Sequence, residues 1–494
     1  MAAGVAAPPP AQTAAARQAQ SPPDGQRGGG APRYKGYAEP AYREISVNSH
    51  YVTMRDGVRI AVDVLLPKGL PPAAKIPTLL SFTRYWRARD GAQPDNLQKF
   101  FVGHGYALVM VDVRGTGASF GVWTAPWSTD EVKDYGEVVS WVVVQPWSDG
   151  KMGAFGSSYG GNAVLHLASL KHPAVKAVLP RHFEFDEYLD VPFPGGVPND
   201  WLVKTWDESN RELDKGASVK PVAGDADRSL LRLATKEHEK NIDLYGAARQ
   251  VVFRDDRLAT GAGQSTSLDD ISVHMRVKEI SRSKTAVGAW GGWFDAGTAD
   301  AVIKSFQALD NPQRAVIGPW NHGASQNASP YFSENSQRVS IMFEWLRFFD
   351  QHLKGIDTGL SAGKVLFYYT IGEERWKATG TWPVAGTKMA RWYVAADNAL
   401  SSSSPQADAG ADTYKVDFEA STGEKNRWRT QLGGPVVYPD RAAEDARLLT
   451  YTSPPLAADT EITGHPVVTL HVTSTHRDGA FFVYLEEVDE AGRV

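Results

Sequence analysis

The stretch "GAFGSSYGG", Gly153 to Gly161, sets two adjacent serines among small residues. Within it, Gly156 to Gly160 reads G-x-S-x-G, the spacing of a nucleophile elbow. In an elbow the central serine sits in a strained turn between a strand and a helix. Side chains two positions away on either side would collide, so both positions call for glycine. That makes Ser158 the candidate nucleophile and Ser157 its neighbour. The flanks fit, with "MGAF" as a short strand before and "NAVLHLASL" as a helix after. A tight turn carrying a solvated serine is the competing reading. The rest of the chain must therefore supply a base, an orienting acid and an oxyanion site.

A serine hydroxyl attacks only once a base takes its proton. In this type of fold the acid and the base follow the serine in the chain, on loops after later strands. His50 and His104 precede the serine, and His166 and His172 lie on or just beyond the helix behind it. His238 and His274 fall in a charged helical stretch, His352 on an amphipathic helix, and His465, His471 and His476 in a strand-rich region. His322 stands in a loop just after the apolar strand of "AVIGPWNHG". Asp295 ends the apolar strand of "VGAWGGWFDAG", with Asp300 and Asp310 as rivals on the next helix and its end. The roles that follow are general base and acid for His322, and tautomer holder and imidazolium partner for Asp295.

Acyl transfer also needs an oxyanion site. The backbone N–H of Tyr159, directly after the nucleophile, is one donor by the geometry of an elbow. The second donor belongs to the loop after an early strand, here "FTRYW", where Tyr85 offers a phenol; a packed aromatic is its plainer reading. Trp290, Trp293, Phe294 and Trp320 flank the acid and base motifs and suggest an aromatic acyl pocket, with core packing as the alternative. "DVRGTGASFG" contains G-x-G after a strand, but "VWTAPWS" follows and opens no helix, so it reads as a structural turn and not as a dinucleotide site. Neither a cofactor nor a metal is called for.

The elements that must position these residues alternate. "VTMRDGVRIAVDVLLP" reads as two strands around an Asp-Gly turn, "IPTLLSFTRYW" as a buried strand, and "LQKFFVGHGYALVMVDV" as helix, Gly turn and strand. "DEVKDYGEVVSWVVVQP" places Val132, Tyr135, Val139 and Val142 on one helical face. Continuous apolar strands between helices imply a mostly parallel sheet covered on both faces. Residues 183–283 turn charged and helical, as in "SLLRLATKEHEKNIDLYGAARQ", and read as an insertion. The α/β pattern resumes over 284–358 and ends in "ENSQRVSIMFEWLRFFDQHLKG", with Gly355 as a stop signal. From 359 the pattern is all strand: "KVLFYYTI", "ARWYVAA", "TYKVDF", "HPVVTLHVTST" and "GAFFVYLEEV", the signature of a sandwich or jelly roll. The chain closes on the turn signal "DEAGRV", so this β domain is expected to be incomplete.

At 494 residues the chain exceeds one ordinary core, and two or three domains are expected. A net charge of −5 points to neither nucleic acid nor an anionic membrane as partner. The absence of cysteine excludes disulfides, thiolate nucleophiles and cysteine-ligated zinc. Residues 1–38, rich in Ala, Pro, Gly and Gln, cannot bury enough apolar surface to order themselves. The run "AAGVAA" admits the tail of a secretory signal, leaving cytoplasmic and periplasmic or secreted locations both open. A homo-oligomer is compatible with all of this.

With these residues in hand, the chain resembles the cocaine esterase / X-Pro dipeptidyl-peptidase hydrolases of the CocE/NonD type. The segments that carry the likeness are "MRDGVRIAVDVLLP", "TRYW", "DVRGTGAS", "WVVVQPWSDGKMGAFGSSYGG", "GGWFD" and "GPWNHG", with "FPGGV" and "GEERWKATGTWP" beyond them. The resemblance implies an α/β-hydrolase core (39–182 and 284–358), a helical cap inserted over 183–283 and a C-terminal jelly roll over 359–494. It implies Ser158, Asp295 and His322 as triad, and it raises Tyr85 to an oxyanion donor beside the N–H of Tyr159. The expected activity is cleavage of an ester or amide acyl bond in a small molecule or short peptide. Related α-amino-acid ester hydrolases hold a substrate ammonium with an acidic cluster; "FEFDEYLD" is acidic, its register open. A dipeptidyl-peptidase and a non-catalytic binding protein on the same scaffold are the rival readings.

Overall fold

In a computed structural model of the chain, the structure describes residues 39–260, 264–331, 341–360, 362–405 and 410–494. The leader over 1–38, and the start of the amphipathic helix over 332–340, lie outside the described residues.

The first half builds a sheet with helices between its strands. Its elements are β1 (Ile45–Thr53), β2 (Arg59–Pro67), β3 (Ile76–Thr83), α1 (Asn96–Gly103), β4 (Ala107–Asp112), α2 (Thr129–Val143), β5 (Ser148–Ser157), α3 (Tyr159–Ser169) and β6 (Val175–Arg181). The stretch read as an insertion follows, with α4 (Asp200–Asp214), α5 (Ser229–His238), α6 (Leu244–Ala248), a ribbon of β7 (Leu258–Ala259) and β8 (Ser265–Thr266), then α7 (Leu268–Ile271) and α8 (Val277–Ser283). The sheet resumes with β9 (Ala286–Val287), β10 (Trp290–Gly292), α9 (Thr298–Ala308), β11 (Gln313–Gly318), α10 (Ile341–Phe349), β12 (Lys364–Thr370) and β13 (Arg375–Thr379).

The strand order is β1-β2-β4-β3-β5-β6-β10-β11-β12-β13, with β9 tucked between β6 and β11. From β4 to β12 neighbours run parallel, and the outer pairs β1–β2, β2–β4 and β12–β13 run antiparallel. Alternation along each strand divides the core. Leu80, Phe82, Val109, Val111 and Ile317 join Val138 and Val139 of α2, Val164 of α3 and Val302 of α9 on one face. Leu79, Leu108 and Val316 join Phe101 of α1 and Trp345 and Phe349 of α10 on the other. A π-helical turn, Asp350–Lys354, continues α10 and stops where the sequence signals it, at Gly355 in the left-handed region with φ 69°.

Two expectations about the C-terminal region change. "KVLFYYTI", read as opening the β domain, is β12, laid parallel along β11 from Gln313↔Lys364 to Ile317↔Tyr368, and β13 extends the same sheet. The reason is burial: Leu366, Phe367, Tyr368 and Tyr369 are all buried, a two-faced pattern that an exposed β ribbon would not carry. Beyond β14 (Tyr393–Ala395) and β15 (Ala399–Ser401), the expected strands over 413–418, 465–475 and 479–488 form no ladder. Their apolar side chains, among them Phe418, Val467 and Phe481, stay exposed. A half-buried strand needs a facing sheet to cover it, and among the described residues none closes over these runs. The short α11 (Ala442–Asp445) is the last helix described. No helix among the described residues is long and apolar enough to cross a membrane.

Candidate active site

Three parallel strands deliver the candidate serine, acid and base to one end of the sheet, where open α/β sheets place their ligands. Ser158 follows β5, Asp295 follows β10 and His322 follows β11. The loops are stitched by backbone hydrogen bonds. Ser158 N–H donates to Arg181 O at 2.9 Å, His182 N–H to Trp290 O at 2.7 Å, Trp293 N–H to Gly318 O at 2.9 Å and Phe294 N–H to Trp320 O at 3.1 Å.

Ser158 holds φ 58° and ψ −125°, in the region that costs a residue with a Cβ about 1–3 kcal/mol. The glycines around it are required by space. A Cβ on Gly156 would lie 2.2 Å from Gly160 O, and one on Gly160 would meet Phe82 O at 3.1 Å. The strained turn therefore holds only because both flanks are bare. It leaves Ser158 half-buried, at the N-terminus of α3.

Asp295 is fully buried and collects donors from every side. His322 Nδ1 lies 3.0 Å from both carboxylate oxygens, and Thr298 Oγ1 donates at 3.0 Å. Burial by itself would raise the Asp295 carboxyl, but His322 and His182 beside it more than offset this and hold it far below the usual carboxylate range. Asp295 and His322, read from the sequence as acid and base, lie within hydrogen-bond distance of one another. Among the described residues no hydrogen bond yet joins Ser158 Oγ to His322. Such contacts tighten on substrate binding.

Three partners of Asp295 escape sequence reasoning. His182, at the end of β6, donates from Nδ1 to Asp295 Oδ2 at 2.7 Å. Thr430 Oγ1 lies 3.4 Å from Asp295 Oδ1, and Gln431 Nε2 donates to the same oxygen. The one available signal for His182 is its place at the carboxyl end of a parallel strand. Nothing local marks Thr430 and Gln431, which sit more than a hundred residues away and are brought back when Ala296 N–H donates to Arg427 O at 3.0 Å.

On the oxyanion side, Tyr159 is the first residue of α3, so its N–H is one of the donors a helix leaves without an internal partner. Its side chain points away and is locked. The phenol donates to Glu131 Oε1 at 2.5 Å and accepts from Trp123 Nε1 at 3.1 Å. Glu131 is pushed up to about 7 by burial, opposed by the hydroxyls of Tyr135 and Tyr159. Tyr85 lies in the loop after β3, and that loop is clamped by the end of α4. Arg84 Nη2 pairs with Asp214 at 2.9 Å and Trp86 Nε1 donates to Leu213 O at 3.2 Å. Tyr85 is 37% exposed, and its oxygen accepts from Trp206 Nε1 of α4 at 2.9 Å. Its packed surroundings raise the phenol, with Arg84, Trp206 and Ser158 pulling the other way.

The aromatic pocket expected from the sequence is corrected by packing. Trp290 and Trp320 stack at 5.7 Å inside the core, and Trp320 also packs on Trp376. Trp293 is tied by Nε1 to Tyr369 O at 2.8 Å, and Phe294 packs on Tyr438. These rings brace β10–β12. The aromatics beside Tyr85 are Trp206, from the insertion and braced edge-on by Trp123 at 6.1 Å, and Tyr159, edge-on at 6.1 Å. The turn "DVRGTGAS" proves to be full: it wraps the buried Asp112 carboxylate, which accepts from Ala118 N–H at 2.9 Å and from Arg87 Nη1 at 2.7 Å.

Residues 56–324 match the X-Pro dipeptidyl-peptidase (S15) family, and 357–494 match the X-Pro dipeptidyl-peptidase C-terminal non-catalytic domain. The chain belongs to this family of serine hydrolases. A protein of Mycobacterium bovis named "Putative serine esterase" is 42% identical over 92% of this chain and 80% of its own length. The cocaine esterase of a Rhodococcus species is 26% identical over 90% of this chain and 80% of its own. Among solved structures, an α-amino acid ester hydrolase superposes with a TM-score of 0.60 at 21% identity, covering 86% of this chain and 75% of that one. A CocE/NonD family hydrolase from Staphylococcus aureus gives 0.54 at 22% identity, over 73% of this chain and 60% of that one. These likenesses confirm the hydrolase fold and its all-β partner domain.

Proposed function

We propose that the chain hydrolyses carboxylic esters, and amides more slowly, through an acyl-enzyme on Ser158. His322 takes the serine proton and returns it to the leaving group, while Asp295 fixes the imidazole with Nδ1–H toward the carboxylate and offsets its charge when protonated. The tetrahedral oxyanion is received by the N–H of Tyr159 and the O–H of Tyr85. Residues 183–283 act as a cap whose Trp206 both positions Tyr85 and walls the acyl side. The observation that carries this reading is the pairing of a strained, glycine-flanked serine with a buried Asp–His pair at the same end of one sheet.

Tyr85→Phe removes a donor that acts only on the developing charge. The expected result is a fall in kcat of about 10²- to 10³-fold with KM little changed, read by steady-state kinetics on a 4-nitrophenyl ester.

The acidic run favours a simple acyl ester over a substrate held by its α-ammonium. Asp190 is paired with Lys304 at 2.7 Å, Asp186 with Arg254 at 2.9 Å, and Glu187 accepts from Asn162 at 2.6 Å. Burial, reinforced by the charges of Asp190 and Asp295, raises the Glu184 carboxyl and favours its neutral form. Asp190 and Asp186 already have cationic partners, and Glu184 and Glu187 are raised toward the neutral form by burial, which leaves the run poorly suited to receive an ammonium. Comparing 4-nitrophenyl esters of N-acetylalanine and of alanine tests this with one leaving group. The N-acetyl ester is expected to show the higher kcat/KM. A preference of about tenfold or more for the free amine, some 1.4 kcal/mol, would move the reading to a dipeptidyl-peptidase or α-amino-acid ester hydrolase.

A further inference from the structure

The Asp295 carboxylate is shared by two imidazoles. His182 Nδ1 stands 2.7 Å from Oδ2, closer than His322 Nδ1 at 3.0 Å, and the two rings lie 5.5 Å apart. We infer that His182 is a positioning residue, a permanent Nδ1–H donor that fixes the Asp295 carboxylate and limits how much of its charge reaches His322. The inference rests on the triad reading above.

Geometry gives His182 this role. Its side chain is wholly buried. Its backbone is held at φ 48° directly after β6 and is anchored by its N–H to Trp290 O, the strand that leads to Asp295. A left-handed conformation for a histidine is costly and persists where the surroundings enforce it. The carboxylate can only accept, so the shared proton sits on Nδ1 of His182. Its Nε2, buried without a partner, is left as a bare lone pair. A neutral ring is the form this site requires. Burial, opposed by the hydrogen bond to Asp295 and reinforced by Arg181 and His322, pushes His182 down to about 4. The charged and titratable groups facing the pair are therefore His322, Arg181 and Glu184, with Thr298, Thr430 and Gln431 as neutral donors.

The consequence is kinetic. A carboxylate that receives several hydrogen bonds has less charge to offer an imidazolium. Without His182, Asp295 is looser but more strongly attractive to the protonated ring. His182→Leu keeps the volume and deletes the donor. His182→Asn keeps a donor where Nδ1 stood, and asparagine tolerates a positive φ. The experiment measures kcat and kcat/KM against pH on a 4-nitrophenyl ester for wild type and both variants, with labelling by a fluorophosphonate probe in parallel. For His182→Leu, kcat is expected to fall about 10- to 100-fold, as for outer partners of functional histidines. The acid limb of kcat/KM is expected to move to higher pH by roughly half a unit. His182→Asn is expected to recover most of both. Should His182→Leu fail to fold, His182→Ala takes its place against the same Asn control. A kcat loss with an unmoved acid limb, or no recovery in the Asn variant, would reduce His182 to packing and overturn the inference. A wild type that takes no label would instead overturn the triad reading.

Discussion

Ser158→Ala is expected to lower kcat by about a millionfold, the loss seen when the nucleophile of a serine triad is removed. KM for a 4-nitrophenyl ester should change little, because the hydroxyl makes no contact with substrate beyond the bond it forms. The size of the effect follows from the order of events. Without Oγ there is no acyl-enzyme, so the His322–Asp295 pair has no proton to move, and only the oxyanion donors and binding remain. The substitution is also clean. Alanine keeps the Cβ that the φ of 58° already accommodates, and the glycines at 156 and 160 stay in place. The thermal midpoint should therefore shift by a few degrees at most. A neighbouring control sharpens the result: Ser157→Ala lies outside the elbow centre and should keep nearly full turnover.

Asp295→Asn should lower kcat about ten-thousandfold with the fold retained. Two imidazoles donate Nδ1–H to this carboxylate, along with Thr298, Thr430 and Gln431. An amide has one oxygen to receive them and an NH₂ that repels the others. At least one histidine must then turn to its other tautomer, and His322 in the wrong tautomer cannot take the serine proton. The stability consequence has a definite sign. The Asp295 carboxyl is held below its ordinary range, so its contribution is complete above the unfolded value near 4 and is lost as pH falls below that. His182 acts in the same direction. Pushed down to about 4, it resists a proton that the unfolded chain takes up near 6.5, so stability declines as pH drops through that interval. Urea unfolding at pH 7 and pH 3.5 should show the wild type more stable than Asp295→Asn at pH 7, with the gap narrowing at pH 3.5.

What could be read in advance was what the local chain dictates. The elbow is legible because its glycines, strand and helix are contiguous, and a Cβ at Gly156 has nowhere to go. Asp295 and His322 are legible because each directly follows an apolar strand, and parallel strands bring their ends together. His182 obeys the same rule, but "VLPRHFE" mixes proline and charge with the end of β6 and hides the strand's edge. Thr430 and Gln431 carry no local signal, since their approach to Asp295 is set by long-range packing of Arg427 and Trp428 against the site. The tryptophans misled because proximity in sequence to Asp295 and His322 says nothing about which face of β10 and β11 a ring takes. Trp290 and Trp320 take the core face and stack there. The same limit explains β12: alternation predicts a strand but not its partner, and Lys364–Thr370 lies between β11 and β13 in the main sheet.

The most direct test of a Ser158-centred hydrolase is covalent. Purified protein and its Ser158→Ala variant are incubated with a fluorophosphonate probe at neutral pH, and both are weighed by intact-mass spectrometry. The account predicts a single adduct on the wild type, located to the peptide that holds Ser158, and none on the variant. A folded wild type that stays unlabelled, or a variant that takes the label equally well, would contradict it.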